Sequence, residues 1–172
     1  CIRDSDDATT RGDDSGEIAA LGVVNLGTGR TAKAISTSWS HTCVILDNNT
    51  VKCWGLNMFG QLGYDDQTPR GNTTGSMAAL GVVNLGTGRT AKAVAASGYD
   101  STCVILDNNS VKCWGVNDHG NLGYDDTRYR GLVVGDMAAL TTVNLGTGRT
   151  AKAINTSGLH TCVIPVSYTH LR

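Results

Sequence analysis

Short runs of β-branched and apolar residues alternate along the chain with turns that are rich in Gly, Asn, Asp and Ser. The first four runs lie at residues 23–26, 32–36, 42–46 and 51–54. Runs of this kind, bounded by Gly or Asn, are typical of strands. The connection that follows, at residues 56–79, has the composition of a loop. The pattern therefore predicts an all-β fold of short strands.

This four-strand pattern is repeated in tandem. Two segments carry the repeat, and their copies lie at residues 21–34, 80–93 and 140–153 and at residues 42–55 and 102–115, with a further start at 161. The spacing alternates between 59 and 60 residues because the second copy gains one residue near Tyr99-Asp100. A four-stranded unit in tandem is typical of a β-propeller, in which each unit forms one blade. We therefore expect a partial β-propeller of about 2.5 to 3 four-stranded blades.

The repeat also divides the chain. We expect the units at residues 6–64 (repeat 1), 65–124 (repeat 2) and 125–164 (partial repeat 3). Both ends depart abruptly from the repeat: residues 1–5 replace its expected sequence, and from Pro165 onwards the chain no longer follows it. We expect residues 1–5 and 165–172 to be non-native tails and exclude them from functional reasoning.

Charge and composition exclude several classes of partner. Lys and Arg together number 14 against 15 Asp and Glu, so the basic surface of a nucleic-acid binder is missing. No apolar run approaches the ~18 residues that a membrane-spanning helix needs, and we expect no membrane partner. Gly27-Thr28-Gly29 resembles a phosphate loop, but a strand-like run follows it where a phosphate loop needs a helix. It is interpreted as a hairpin turn, and no cofactor is expected.

The cysteines predict two cross-strand pairs. If residues 47–49 form the hairpin loop, Cys43 lies directly opposite Cys53, and Cys103 lies opposite Cys113 in the same way. The separation of directly opposed residues is at the short end of disulfide range. Buried free thiols and a metal site are the alternatives. Disulfides favour an oxidising compartment and hence an extracellular or cell-surface location.

Histidine and tryptophan recur at fixed positions of the repeat. His41 and His160 are equivalent, and we interpret them as hydrogen-bonding residues of the hairpin rather than catalytic bases. Trp54 and Trp114 follow the second cysteine of each hairpin and are expected to pack between blades. Trp39 lies outside this pattern and is a candidate exposed aromatic.

Two acidic pairs allow a second interpretation. Asp65-Asp66 and Asp125-Asp126 precede loops that end in an Arg-Gly pair. Calcium binding through these carboxylates is a disfavoured alternative, because their spacing does not match a calcium loop. Turn formation and Asp–Arg pairing explain them equally well.

The long connections are the candidate partner-binding surface. Residues 64–77 and 124–137 differ in their middle while their flanks agree. Variable loops on constant elements are typical of recognition surfaces, although unconstrained drift explains the same pattern. Tyr and Arg are frequent among residues that contribute most to binding. The candidate contacts are Tyr129, Arg130, Arg128 and Arg70.

The hairpin with the turn that follows it also resembles a known family. Residues 41–63 contain a Trp-Gly-Leu-Asn turn and a Gly-Gln-Leu-Gly end, and this run is similar to the repeat of the regulator of chromosome condensation family. Residues 113–123 carry the same features, with Asn121 in place of Gln61. The resemblance implies a seven-bladed propeller in the complete protein, of a bacterial secreted type.

The resemblance implies a function in protein binding. We expect a non-catalytic scaffold that presents loops of a propeller face to a protein partner. Guanine-nucleotide exchange on a small GTPase, as in the namesake of the family, is one alternative. Inhibition of a secreted enzyme, as in a bacterial β-lactamase inhibitor protein of the same architecture, is another. Paired cysteines argue against exchange, because cytosolic thiols stay reduced.

Overall fold

The structure, a computed structural model, describes residues 13–167 and forms three small antiparallel sheets in tandem. Strands β1 to β3 form the first sheet, β4 to β6 the second, and β7 and β8 the third, each in sequential order. Two one-turn helices lie in the connections. In chain order the elements are α1 (Glu17–Ala20), β1 (Ala32–Thr37), β2 (His41–Leu46), β3 (Val51–Gly55), β4 (Ala91–Ser97), β5 (Ser101–Leu106), β6 (Val111–Gly115), α2 (Asp136–Ala139), β7 (Arg149–Ser157) and β8 (His160–Ser167).

The hairpin at the centre of each complete repeat forms where the sequence predicts it. Its Asp-Asn-Asn turn needs a last residue with positive φ, and Asn49 has φ 65°. Asn tolerates this left-handed conformation better than most residues. The side chain of Asn48 accepts a hydrogen bond from the backbone N–H of Thr50 and closes the turn at 3.2 Å. The resulting register places Cys43 opposite Cys53, as predicted.

The prediction of a strand at residues 23–26 is wrong. This segment has no regular structure, and its counterpart around Val83 shows why. Val83 donates one backbone hydrogen bond, at 2.8 Å, to the carbonyl of Val51 in the preceding repeat. A single bond beside β3 does not make a ladder, so the complete sheets have three strands instead of four. The short helix α2 was also not predicted.

The apolar core lies between the sheets. On the middle sheet, Val104 and Trp114 pack towards the first repeat, and Ile105 and Val111 pack towards the third. This division follows from the alternation of side chains along a strand. Each repeat therefore buries its apolar face against its neighbour, as tandem-repeat proteins do.

Trp114 is the largest fully buried side chain at these interfaces. Its Nε1 donates a hydrogen bond of 3.0 Å to the backbone carbonyl of Gln61 in the preceding repeat. The ring lies against Gly63, where an added Cβ would stand 2.8 Å from Nε1. Gly63 also has φ 74°, so both space and backbone favour glycine there.

The predicted tails lie largely outside the described residues. Residues 1–5 are not described, and neither are residues 168–172. Pro165 and Val166 belong to β8 and pair with Ala151 and Thr150 of β7. The assignment of the tails stays a prediction. Among residues 13–167, no helix is long and apolar enough to cross a membrane.

Candidate functional site

A surface hollow of about 160 Å³ lies where turns from the first two repeats meet the connection that begins the third. Its walls come from four separate segments: the turn after β3, the turn between β4 and β5, the turn after β6, and the long connection that follows it. The lining residues are Phe59, Tyr99, Asp100, Val116, Asp118 and Tyr129. Three aromatic rings and two carboxylates therefore surround one small space.

Tyr129 is held in place on two sides. Its ring lies edge-on to Phe59, with centroids 6.0 Å apart and an interplanar angle of 80°. Its hydroxyl donates a hydrogen bond of 2.5 Å to Oδ1 of Asp118. That bond to a carboxylate, with the accompanying desolvation and negative charge, raises the pKa of Tyr129 to about 12. The phenol is therefore a neutral, preorganised donor at any physiological pH.

Tyr99 and Asp100 close the opposite side of the hollow. Tyr99 is 40% exposed and its ring lies 6.1 Å from that of His119. Oδ1 of Asp100 accepts hydrogen bonds from the hydroxyl of Ser40 and, at 3.1 Å, from Nε2 of Gln61. Both donors belong to the first repeat. The turn between β4 and β5 therefore joins the first two repeats at the edge of the hollow.

Arg70 and Arg130 have a different environment from the one predicted for partner contacts. Arg130 forms two hydrogen bonds with Asp126, at 3.0 and 2.8 Å, and its guanidinium lies 4.0 Å from the centroid of the Tyr124 ring. Arg70 makes the same contacts with its own repeat's carboxylate, Asp66. These side chains are only 16% and 23% exposed. Their charge is largely used within the chain.

These ion pairs lower the pKa of both carboxyl groups. The hydrogen bond from Arg130 comes first among the causes that lower the pKa of Asp126 to about 2. The pKa of Asp66 is lowered for the same reason, by Arg70. Each pairing therefore favours the charged form of its carboxyl group, and each arginine also lies over a tyrosine ring, Arg70 over Tyr64 and Arg130 over Tyr124.

The remaining two predicted contacts, Tyr129 and Arg128, lie next to each other in the chain. The Arg128 side chain is 76% exposed and stands 3.8 Å from Asp136. Tyr129 enters the hollow, whereas Arg128 projects beside it. The role of all four residues in partner binding stays a prediction.

The cysteine pairs lie at bonding distance. The two Sγ atoms are 2.11 Å apart in the pair of Cys43 with Cys53 and in that of Cys103 with Cys113. The Cα atoms of each pair are 4.1 Å apart. Cys162, the counterpart of Cys43 and Cys103, is unpaired and exposed.

His41 has the hydrogen-bonding role that its position predicts. It is 3% exposed, its Nδ1 lies 2.7 Å from the hydroxyl of Ser38, and its Nε2 lies 2.8 Å from the hydroxyl of Thr102 in the next repeat. Burial lowers the pKa of His41 to about 4, against a smaller opposing effect of Asp100. His160, by contrast, is exposed.

The tryptophans and the acidic pairs are also accounted for by packing and hydrogen bonds. Trp54 and Trp114 are buried, whereas Trp39 is 93% exposed. Asp65 accepts hydrogen bonds from the backbone N–H groups of Gly135 and Met137, at 3.1 and 2.7 Å, at the start of α2. Within residues 13–167, no three His, Cys, Asp or Glu side chains are grouped so that they could hold a metal ion.

Sequence reasoning missed Phe59, Tyr99 and Asp118 as members of the site. Two features of the sequence mark this part of the surface. The one-residue gain of the second repeat falls on Tyr99-Asp100, and Phe59 stands where the second copy has His119. Both are departures from an otherwise close repeat, and both lie at the edge of the hollow.

Comparisons with known proteins agree with this architecture. The family model of the regulator of chromosome condensation (RCC1) repeat matches residues 32–61 and 91–121. No curated protein matches the chain.

Solved structures share the fold at low sequence identity. The chain is similar to Prp20p from Saccharomyces cerevisiae, with a TM-score of 0.64 and 12% identity over 83% of this chain and 33% of that one. Human WBSCR16 gives a TM-score of 0.62 and 12% identity over 80% of this chain and 32% of that one. Yeast RCC1 (Prp20) in its complex with Kap60 gives 0.54 and 18% over 77% and 30%. The chain thus spans about a third of these propellers.

Proposed function

We propose that this chain, whose residues 32–61 and 91–121 match the RCC1 repeat model, is a non-catalytic scaffold that binds a protein partner. The hollow formed by Phe59, Tyr99 and Tyr129 is the proposed contact site. The paired cysteines support an oxidising, extracellular compartment as its place of action.

The observation that carries this proposal is the convergence of three aromatic rings on one surface hollow. Aromatic side chains offer a large contact area and lose little conformational entropy on binding. They are also frequent among the residues that dominate binding energy. In this chain they come from turns held by hydrogen bonds to the neighbouring repeat, so the surface is preorganised.

The charge of the hollow suggests the chemistry of its ligand. The carboxylates of Asp100 and Asp118 line it, and the faces of aromatic rings attract cations. We therefore propose that the partner inserts a lysine or arginine side chain. The solved relatives support protein ligands in general: Prp20p binds Gsp1p and histones, and yeast RCC1 has been solved with Kap60 bound.

Selection from a displayed peptide library tests the proposal. We expect selected peptides to be enriched in Lys or Arg and to bind the Tyr129→Ala and Tyr99→Ala variants at least about tenfold more weakly, because each removes one wall of the hollow. Tyr129→Phe keeps the ring and loses only the hydrogen bond to Asp118, so we expect a smaller effect. Dissociation constants from fluorescence titration give the comparison.

Trp39→Ala is the matched control. Trp39 is the exposed aromatic on the corresponding turn of the first repeat, and it does not line the hollow. We expect unchanged affinity in this variant and unchanged melting temperatures in all four. Selected peptides that bind Tyr129→Ala and Tyr99→Ala as tightly as the parent would remove the hollow from the interface.

The exchange alternative is tested separately. A nucleotide-exchange factor accelerates release of a fluorescent guanine nucleotide from a small GTPase, whereas a scaffold leaves the release rate unchanged. We expect no acceleration at any concentration of this chain. Acceleration that is lost in Tyr129→Ala would instead assign exchange to the same hollow.

A further inference from the structure

An apolar groove of about 330 Å³ lies between the second and third repeats, on a different part of the surface from the hollow. Side chains of β6, of β8 and of the connection between them line it. The apolar members of this lining are Val111, Leu122, Val143, Leu145, Leu159 and Val163. Leu159 is 44% exposed, and Val143, Leu145 and Val163 are half-buried, so this groove presents apolar side chains to solvent.

The internal repeat identifies what fills the same place one repeat earlier. There, the ring of Trp114 lies against Gly63 and Val83 and is fully buried. The counterparts of these two residues, Gly123 and Val143, both line the groove. An added Cβ on Gly123 would touch only Val143, whereas the same Cβ on Gly63 would touch Trp114. The groove therefore has the lining of a tryptophan site without its tryptophan.

The third sheet also has one strand fewer than the second sheet within the described part of the chain. In the second sheet, β5 lies between β4 and β6 and pairs with both. Its counterpart in the third sheet, β8, pairs among the described residues only with β7. Thr161 and Val163 line the groove, so Cys162 between them faces the other side of the sheet. A strand paired with β8 as β6 pairs with β5 would place its cysteine opposite Cys162. Its next residue would then lie opposite Thr161, in the groove.

The earlier tryptophan site also shows what would hold an indole N–H in the groove. The backbone carbonyl of Gln61 accepts two bonds from the following repeat, from Nε1 of Trp114 at 3.0 Å and from the hydroxyl of Thr102 at 2.8 Å. Its counterpart Asn121 lines the groove. A tryptophan in the groove would therefore find the equivalent backbone acceptor for its indole N–H.

We propose that this groove and the free edge of β8 form a docking site for one extended strand of the type Val-Lys-Cys-Trp-Gly, the outer strand of a further repeat. The strand adds to the sheet by backbone hydrogen bonds, and its tryptophan fills the groove. Its cysteine faces Cys162. When that cysteine arrives as a mixed disulfide, the Cys162 thiolate attacks its sulfur, a new disulfide forms and the former thiol partner leaves with the bonding electrons. The proton of Cys162 passes to solvent.

The test uses a synthetic peptide with the sequence of residues 110–118, activated at its cysteine as the thionitrobenzoate mixed disulfide. The protein is the full chain with Cys1→Ser, so that Cys162 is its unpaired cysteine. We expect rapid release of the coloured thionitrobenzoate, with a peptide adduct that maps to Cys162. The Trp→Ala peptide should react at least about tenfold more slowly, because only docking distinguishes the two peptides.

Two further measurements make the outcome decisive without altering the fold. A scrambled peptide with the same activated cysteine gives the rate without docking, and in Cys162→Ser the parent peptide should still bind with a blue shift of its tryptophan fluorescence. Equal rates for the parent, Trp→Ala and scrambled peptides would overturn the proposal. A Cys162–Cys162 dimer that forms in preference to the adduct would assign the edge to a second copy of the chain and would overturn it too.

Discussion

His41 shows how a side chain can be polar, buried and non-catalytic. Both ring nitrogens lie within hydrogen-bonding distance of hydroxyl groups, one from its own repeat and one from the next. The pair of bonds satisfies a neutral imidazole, and burial makes the charged form unfavourable. In repeat 2 the same position is Ser101, which is also buried. Either a histidine or a serine can therefore occupy this buried position.

The lowered pKa of His41 makes stability depend on pH. Between the ordinary histidine value of 6.5 and the folded value of about 4, the unfolded chain binds a proton that the folded chain does not. The free energy of unfolding therefore falls as pH decreases through this window, by up to about 3 kcal/mol from this residue. Urea unfolding at several pH values measures it.

His41→Ser, which copies the second repeat, is the control for this prediction. All other titrating groups stay in place, so the difference between the two pH profiles isolates His41. We expect a flatter profile for the variant between pH 4 and 6.5. Parallel profiles would mean that His41 titrates normally in the folded protein.

The arginines show where residue-type reasoning fails. Tyr and Arg are both frequent in binding surfaces, and the sequence ranks Tyr129 with Arg130 on that ground. The structure separates them, because Asp126 lies four residues before Arg130 and the turn brings their side chains together. That spacing was visible in the sequence as an Asp–Arg pair. The edge contact of Tyr129 with Phe59 was not, because 70 residues separate them.

At the scale of elements, local patterns predict the hairpins and miss the contacts between repeats. An Asp-Asn-Asn turn between two β-branched runs sets the register of the hairpin, and β2 pairs with β3 in that register. Residues 23–26 have a similar composition but no partner within their own repeat. Whether such a segment becomes a strand depends on the edge that the neighbouring repeat offers. One hydrogen bond, from Val83 to Val51, is what that edge provides.

The cysteine pairs give a prediction at this scale. Peptide mapping without reductant should recover Cys103 linked to Cys113 and Cys43 linked to Cys53. Replacing Cys103 and Cys113 with Ser should lower the free energy of unfolding by about 2–3 kcal/mol, because the bond restricts the unfolded chain. Labelling of all four thiols without reductant would contradict both statements.

Cys162→Ser is the matched control for the cysteine variants. It removes an exposed, unpaired cysteine at the equivalent position of the third repeat. We expect the free energy of unfolding to change by less than about 0.5 kcal/mol, as for most surface substitutions. A comparable loss in this variant would attribute the effect to the serine rather than to the bond.

At the scale of the whole molecule, the repeats are joined by specific polar contacts as well as by the apolar interfaces. Asp65, the first residue of repeat 2, extends to the N–H groups of Gly135 and Met137 in repeat 3. A carboxylate at the start of a helical turn satisfies donors that the turn leaves open. Because neighbouring repeats stabilise each other through such contacts, the unfolding of one repeat destabilises the repeat that it contacts.

Replacing Asp65 with Ala therefore weakens the connection between the second and third repeats. We expect a loss of about 1.5–3 kcal/mol relative to Asp125→Ala, since hydrogen bonds to charged groups are of that strength. Asp125 is the matched control: it has the same φ of 59°, is exposed, and makes no hydrogen bond to another repeat within the described part of the chain. Denaturant unfolding measures the difference, and equal losses would mean that only backbone strain was changed.

The additional residue at Tyr99-Asp100 has an evolutionary consequence. Tandem duplication supplies several copies of one unit, and β4 keeps its antiparallel pairing with β5 although β4 has 7 residues where β1 has 6. The additional residue thus lengthens one strand and leaves the antiparallel pairing of the sheet in place. Tandem repeats of this kind can therefore change at one contact between neighbouring repeats at a time. Each such contact can acquire its own ligand while the pairing of the strands is inherited.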